Sequence, residues 1–442
     1  MVIKHFLLLF LFLSSFSFYA QDQETEDDYV NDNVLKYDDY VYKPNIKTVQ
    51  FHEVSWEYAA PVIMLNSSDK LELGFDDLEG DKKLYTLTFV HCNADWTPSD
   101  LMVSEFLNGF YDLNILNFGY AVNTTQKYTH YSIVFPLEGT QQNTQFTKSG
   151  NYIMYVYVDG NNKDIVLSRR FMVYDNRLGI TATMRQPIGG GDQFNKQQID
   201  FNISAAGYDM TNPYKDMKVV LSQNNRWDNA VTDIKPTFMN GNQFVYSLDE
   251  ASTFNGGNEF RYFDIRSIRF LTERVQNIYK DPEDGYKSHA VLYADESRAT
   301  KPYTFYNDFN GNFLLKNRDA LTDSDVEADY VYVDFFLPYS SPVSTGNFYI
   351  LGKLTDWRMN RNSKMTYNYK RFGYEARLRL KQGYYNYIYV LSNDTKKGGD
   401  ETILEGNHWD TENDYYILVY HRKFGTYYDQ LVGYKKLNSL KK

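Results

Sequence analysis

The residues with the most chemical potential in this chain of 442 are contiguous: His91-Cys92-Asn93-Ala94-Asp95-Trp96-Thr97-Pro98-Ser99-Asp100. The stretch holds the only cysteine, a histidine, two aspartates and two hydroxyl side chains. A thiol nucleophile and its base are built from such residues. Their spacing argues against that chemistry. Leu84-Tyr-Thr-Leu-Thr-Phe-Val-His91 reads as a strand running on to Cys92. Successive strand side chains point to opposite faces, so His91 and Cys92 face apart. His130, the nearest other histidine, falls on the Tyr128/Ser132 face of its own strand, opposite Tyr131, Ile133 and Phe135. Nothing in the sequence places it beside Cys92, which is expected to be a small buried hydrophobe. The following residues have architectural readings. The strand ends, Trp96 covers the core edge, Pro98 turns the chain, and Ser99 caps a helix over 98–115 with Leu101, Phe106, Leu107 and Phe110 as its apolar residues.

Other chemistry is weaker still. His52, His289, His408 and His421 are scattered without metal-ligand spacing. Asp308-Phe-Asn-Gly-Asn312 begins like a calcium loop, but Phe313 stands where the turn glycine belongs. Gly189-Gly190-Gly191 lacks the Lys-Ser/Thr of a phosphate loop and reads as a hairpin tip or bend. The sequence therefore predicts no catalytic residues, no cofactor and no metal.

The elements that carry these residues are strands. From Val49 onward, short alternating runs lie between turn residues, as in an all-β chain. Tyrosine is the compositional anomaly, 41 residues beside 30 Phe. It fits either half-exposed β-structure or a large partner surface. Ser149-Gly150 leading into Asn151–Val158 is reminiscent of the tyrosine corner of immunoglobulin-like sandwiches. We read a secretory signal over 1–20, with Lys4 and His5 before the apolar run Phe6–Phe16 and a cut after Ala20. An acidic flexible arm follows over 21–43. Three consecutive immunoglobulin-like β-sandwich domains are expected at 44–176, 177–326 and 327–442, with one short helix in the first.

The apolar run near the start is shorter than the roughly 20 residues that span a bilayer, and no later segment reads as a transmembrane helix. No cysteine stands near the cut for lipid attachment. The net charge of −11 becomes −12 once Lys4 leaves with the signal. That balance argues against nucleic acid, which needs a basic surface. One cysteine excludes an intramolecular disulfide, so packing must supply the stability.

Several blocks together resemble the plug protein family of the type 9 secretion system of Bacteroidota. They are the opening motif with Gly109-Phe110 and Asn123-Thr124-Thr125; Asn258-Glu259-Phe260-Arg261-Tyr262-Phe263-Asp264; Gly383-Tyr384-Tyr385-Asn386-Tyr387; and Glu405-Gly406-Asn407-His408-Trp409, followed by Val419-Tyr420-His421-Arg422. The likeness spans roughly residues 45–433. It implies a non-enzymatic periplasmic protein, peripheral to the outer membrane, that seals the periplasmic opening of the β-barrel translocon when no substrate occupies it. The C-terminus shows no sorting domain of the kind the resemblance implies for cargo. Asn347-Phe-Tyr-Ile-Leu-Gly-Lys-Leu-Thr-Asp-Trp357 resembles the early-set sandwiches of glycogen-binding modules. It implies an alternative, an exported glycan-binding protein using the C-terminal domain, with Trp357 as the sugar contact.

Overall fold

The computed structural model describes residues 34–440 except 138, 140, 141, 189, 248, 249 and 393–397. The expected signal at 1–20 and most of the acidic arm lie outside the described residues. The protein is all-β, and its helices are single turns.

Each of three units is a pair of sheets closed over its own core. In the first unit, one sheet orders Tyr40–Val41, Asn161–Tyr174, Gly150–Val158, Tyr85–Cys92 and Leu113–Asn114. The other orders Ile46–Glu53, Leu71–Asp77, Thr129–Phe135 and Asn117–Tyr120. The inward residues of both sheets, among them Leu73, Phe75, Leu87, Phe89, Tyr152 and Phe171, form one continuous core. The period-two burial of Thr129–Phe135 follows its alternating sequence. Tyr152 donates its hydroxyl to the Lys148 carbonyl at 2.7 Å, the bond that defines a tyrosine corner. Tyr385 bonds the Lys381 carbonyl in the same way, so both Gly-x-Tyr entries fold alike.

The sequence-based boundaries of the second and third units need correction. Met217–Gln223 pairs along its whole length with Asp414–His421, from Met217 opposite His421 to Gln223 opposite Tyr415. The last strand, Gln430–Asn438, pairs with Asp414–His421 in turn. Tyr415, Ile417, Val419 and Val432 share a core with Ile199, Phe201 and Leu221. The second unit therefore takes its final two strands from the chain's end, and the third unit is inserted within it, from Arg261–Asp264 through Gly383–Ser392. Alternation marks strands, but it does not name partners nearly two hundred residues apart.

Two further expectations are overturned. The arm expected at 21–43 is not free over 34–43: Tyr40 and Tyr42 are buried, and Tyr40–Val41 adds a strand beside Ser168 and Leu167. Its acidic residues find fixed cations, with Asp39 on Arg170 at 2.8 Å and Asp38 on Arg358 at 3.0 Å. The helix expected over 98–115 is one turn, Val103–Phe106, capped at Met102 rather than Ser99. The chain then enters the strand Leu107–Gly109, which pairs with Thr144–Phe146. Gly109 sits at φ +95, where an added Cβ would lie 2.0 Å from the Asn143 carbonyl oxygen. The apolar residues chosen for a helix face, Phe106 and Leu107, are buried from this bent path instead.

Candidate functional site

The motif 91–100 ends the strand Tyr85–Cys92, and its two reactive side chains point to opposite sides, both buried. Burial pushes the Cys92 thiol up to about 12 and the His91 imidazole down to about 4. The histidine has a partner that the sequence reading did not foresee: its Nδ1 lies 2.9 Å from Ser99 Oγ. Its Nε2 lies 3.3 Å from the Ser149 carbonyl oxygen. A carbonyl only accepts, so Nε2 carries the proton and Nδ1 accepts from the serine hydroxyl. Among the described residues the ring's partners are Ser99 and the Ser149 carbonyl rather than a carboxylate, and its low pKa weakens it as a proton acceptor. The pair locks the turn after the strand. Gly150 packs so close that a Cβ there would meet His91 Nε2 at 2.4 Å.

The rest of the motif is a joint between the first and second units. Asp429, almost fully buried, accepts from the Ala94 backbone N–H at 3.1 Å, Lys218 Nζ at 2.9 Å and Arg422 Nε at 2.8 Å. Arg422 also donates to Asn93 Oδ1 at 3.0 Å. Tyr420 reaches Asn151 Oδ1 at 2.7 Å, and Asn151 in turn holds the Asn93 carbonyl at 3.0 Å. Burial raises the Asp429 carboxyl, but these donors outweigh it and hold it below its ordinary range.

A second joint binds the first unit to the third. Asp76 accepts from His130 Nδ1, Tyr330 OH and Lys381 Nζ, each at 2.7 Å. The Asp76 and Lys381 side chains are both 0% exposed. Burial pushes Asp76 up; the Lys381 ammonium, foremost among its partners, reverses that and holds the carboxyl low. His130 is thus a structural ligand of Asp76, on the face where alternation placed it and away from Cys92. Alongside, Asp329 accepts from the Thr125 and Gln126 backbones at 2.7 and 3.0 Å.

A third cluster lies inside the inserted unit and ties down the return to the second. Arg261 Nε bonds both oxygens of Glu405, at 2.9 and 3.0 Å. Arg298 adds bonds to Oε2 at 2.9 and 2.6 Å, and Tyr387 and Tyr389 donate to Asp295 at 2.6 and 2.8 Å. Arg226 of the second unit pairs with Glu401 at 2.9 Å.

These contacts give residues of all four sequence blocks structural partners. They also revise the role of tyrosine: Tyr128, Tyr152, Tyr387, Tyr389 and Tyr420 are fully buried with their hydroxyls bonded, rather than half-exposed. Asp76 and Lys381 escaped the sequence reading; a charged residue within an alternating strand was the signal available. Trp357, the sugar contact of the alternative reading, packs edge-on against Phe260 at 5.9 Å, and the Arg226 guanidinium covers its ring at 4.7 Å. Asp308 caps two backbone N–H groups, of Phe260 at 2.5 Å and Asn310 at 2.7 Å. Among the described residues one acidic trio, Asp77, Glu79 and Asp81, is close enough to share an ion, but the Lys83 ammonium already lies among them.

Residues 46–175 match the type 9 secretion system plug protein 1st domain. A crystallised hypothetical protein from Parabacteroides merdae ATCC 43184 is 33% identical, with a TM-score of 0.86 over 92% of this chain and 100% of its own. Native alpha-2-macroglobulin from Escherichia coli, spanning domains NIE-MG1, is 8% identical over 46% of this chain and 97% of its own, with a TM-score of 0.14. The collagen adhesin of S. aureus is 8% identical over 89% and 91%, with a TM-score of 0.11. Neither of the last two carries weight for fold or function. No curated protein matches the chain.

Proposed function

The chain belongs to the type 9 secretion system plug protein family, and from that premise we propose that it is a non-enzymatic periplasmic plug. It binds and seals the periplasmic opening of the system's outer-membrane β-barrel translocon when no substrate occupies the pore. The observation that carries this reading is the set of buried polar joints locking three sandwiches to one another. Sealing by shape needs a body that arrives pre-formed, because ordering on contact subtracts from affinity. The Asp76–Lys381 pair and the bonds of Asp429 to Ala94 and of Arg422 to Asn93 supply that rigidity across units. Exposed aromatic side chains such as Phe424, Tyr427, Phe270 and Tyr369 supply ring area suited to a protein partner. Attachment to the outer membrane is peripheral, through the translocon, after export by the segment 1–20. Among the described residues, no helix is long and apolar enough to cross a membrane.

The test is purification of the translocon from its native membrane, with and without arrested substrate flow. The chain is expected to copurify with empty barrels. Its deletion is expected to make the outer membrane leaky when flow is blocked. If it is never recovered with the barrel and its deletion leaves permeability unchanged, the proposal fails.

A further inference from the structure

Where the three units meet they leave a cavity of about 590 Å³, within the size range of small-ligand sites. Four of the five tryptophans of the chain, Trp56, Trp96, Trp227 and Trp357, line it. We propose that this cavity binds a neutral oligosaccharide. The inference stands whether or not the chain seals a translocon.

Three observations carry it. The first is the aromatic rim. Trp56 is 62% exposed and Phe305 48% exposed, while Tyr58 stacks on Phe309 at 4.6 Å. Flat apolar rings at a solvent-facing mouth match the C–H faces of a pyranose. The second is the charge pattern of the walls. Arg169 is held by Asp356 at 2.9 Å, Arg170 by Asp39 at 2.8 Å and Lys436 by Asp414 at 2.8 Å. An anion would have to displace these carboxylates; a cation would have to displace the guanidinium groups or engage the Asp308 and Glu412 carboxyls, both raised by burial. A neutral polyol instead uses their remaining lone pairs and N–H groups, since planar carboxylates, amides and guanidinium groups bind paired donors and acceptors.

The third observation is strain. Among the described residues, Trp96 at φ +66 and Trp357 at φ +56 both line this cavity in the left-handed region. A bulky residue rarely adopts this conformation, and such strain gathers where function requires it. The buried Trp96 indole N–H and Asn310 Oδ1 also lack hydrogen-bond partners among the described residues, which is uncommon for buried polar groups.

The probe is the mature full chain titrated with chitohexaose, maltoheptaose, cellohexaose and mannohexaose, with an unstructured decapeptide for comparison. Tryptophan fluorescence and binding heat are read together. At least one sugar is expected to bind with a Kd of about 1 mM or tighter. Trp56→Ala, which removes an exposed ring and leaves the cores intact, is expected to weaken that binding about tenfold. Trp409→Phe, away from the cavity, should leave it unchanged. The proposal is overturned if no sugar gives a signal at about 10 mM. It is also overturned if only the peptide binds, or if Trp56→Ala binds as the parent does.

Discussion

Replacing Lys381 by methionine tests the joint between the first and third units. The substitution keeps most of the side-chain volume and removes one charge. In the parent, the ammonium serves Asp76 Oδ2 at 2.7 Å and the Asp325 carbonyl at 2.6 Å, and it lies 4.3 Å from the Tyr128 ring centroid. Without it, Asp76 keeps two hydrogen bonds but loses its ammonium partner at a site with no solvent. Breaking a buried pair from one side costs roughly 3–5 kcal/mol, against a total stability on the order of 5–15 kcal/mol. For units of this size the midpoint of thermal unfolding should fall by roughly 10 °C. Three units need not unfold together, so the local readout is hydrogen exchange in Leu71–Asp77 and Tyr330–Pro338. Both strands should lose protection while Met217–Gln223 keeps it. Adding Asp76→Asn should recover part of the loss, because the uncompensated charge is gone. The reasoning is refuted if Lys381→Met costs less than about 1 kcal/mol, or if the double variant is no more stable than the single one.

Stability should also rise with pH between about 4 and 6.5. The folded His91 is held down to about 4, so in this window the unfolded chain binds the extra proton. The contribution is about 3 kcal/mol, and His91→Gln should flatten the slope of denaturant midpoints in that window. The depressed carboxyls of Asp76 and Asp429 work at lower pH. Their stabilisation is present above the ordinary aspartate range and is lost as pH falls through their folded values, so Asp429→Asn should make acid unfolding less steep. Cys92 should resist thiol reagents until the protein is denatured, and Cys92→Ala should cost less than about 2 kcal/mol; fast labelling of the native protein would contradict its burial. Arg261→Lys should destabilise the third unit by roughly 2–4 kcal/mol, since an ammonium cannot reproduce the guanidinium fork shared by Glu405 and Asp295. Urea unfolding followed at that unit's tyrosines would show a parent-like midpoint if this is wrong.

Sequence by itself determined what is local. Alternation in Leu84–Cys92 separated His91 from Cys92, and it set His130 apart from Ile133 and Phe135, because the side-chain period of a strand is a property of the backbone. The Gly-x-Tyr entry at 150 announced its corner from local residues, since the tyrosine bonds a carbonyl four residues back; the corner at 383 emerged with the structure. What required the tertiary structure was every decision made between distant residues. The helix expected over 98–115 lost to pairing with Thr144–Phe146, an energy invisible to local propensity. Over its described end the arm is tied down, with Tyr40–Val41 as a strand and Asp38 and Asp39 on Arg358 and Arg170. The C-terminal strands closed the second unit rather than the third, since hydrophobic faces fix register but do not name the partner. The same holds for the motif from His91 to Asp100. Its residue types were plain in the sequence, but only the fold put Asp429 and Arg422 against Asn93 and Ala94 and made a joint of it.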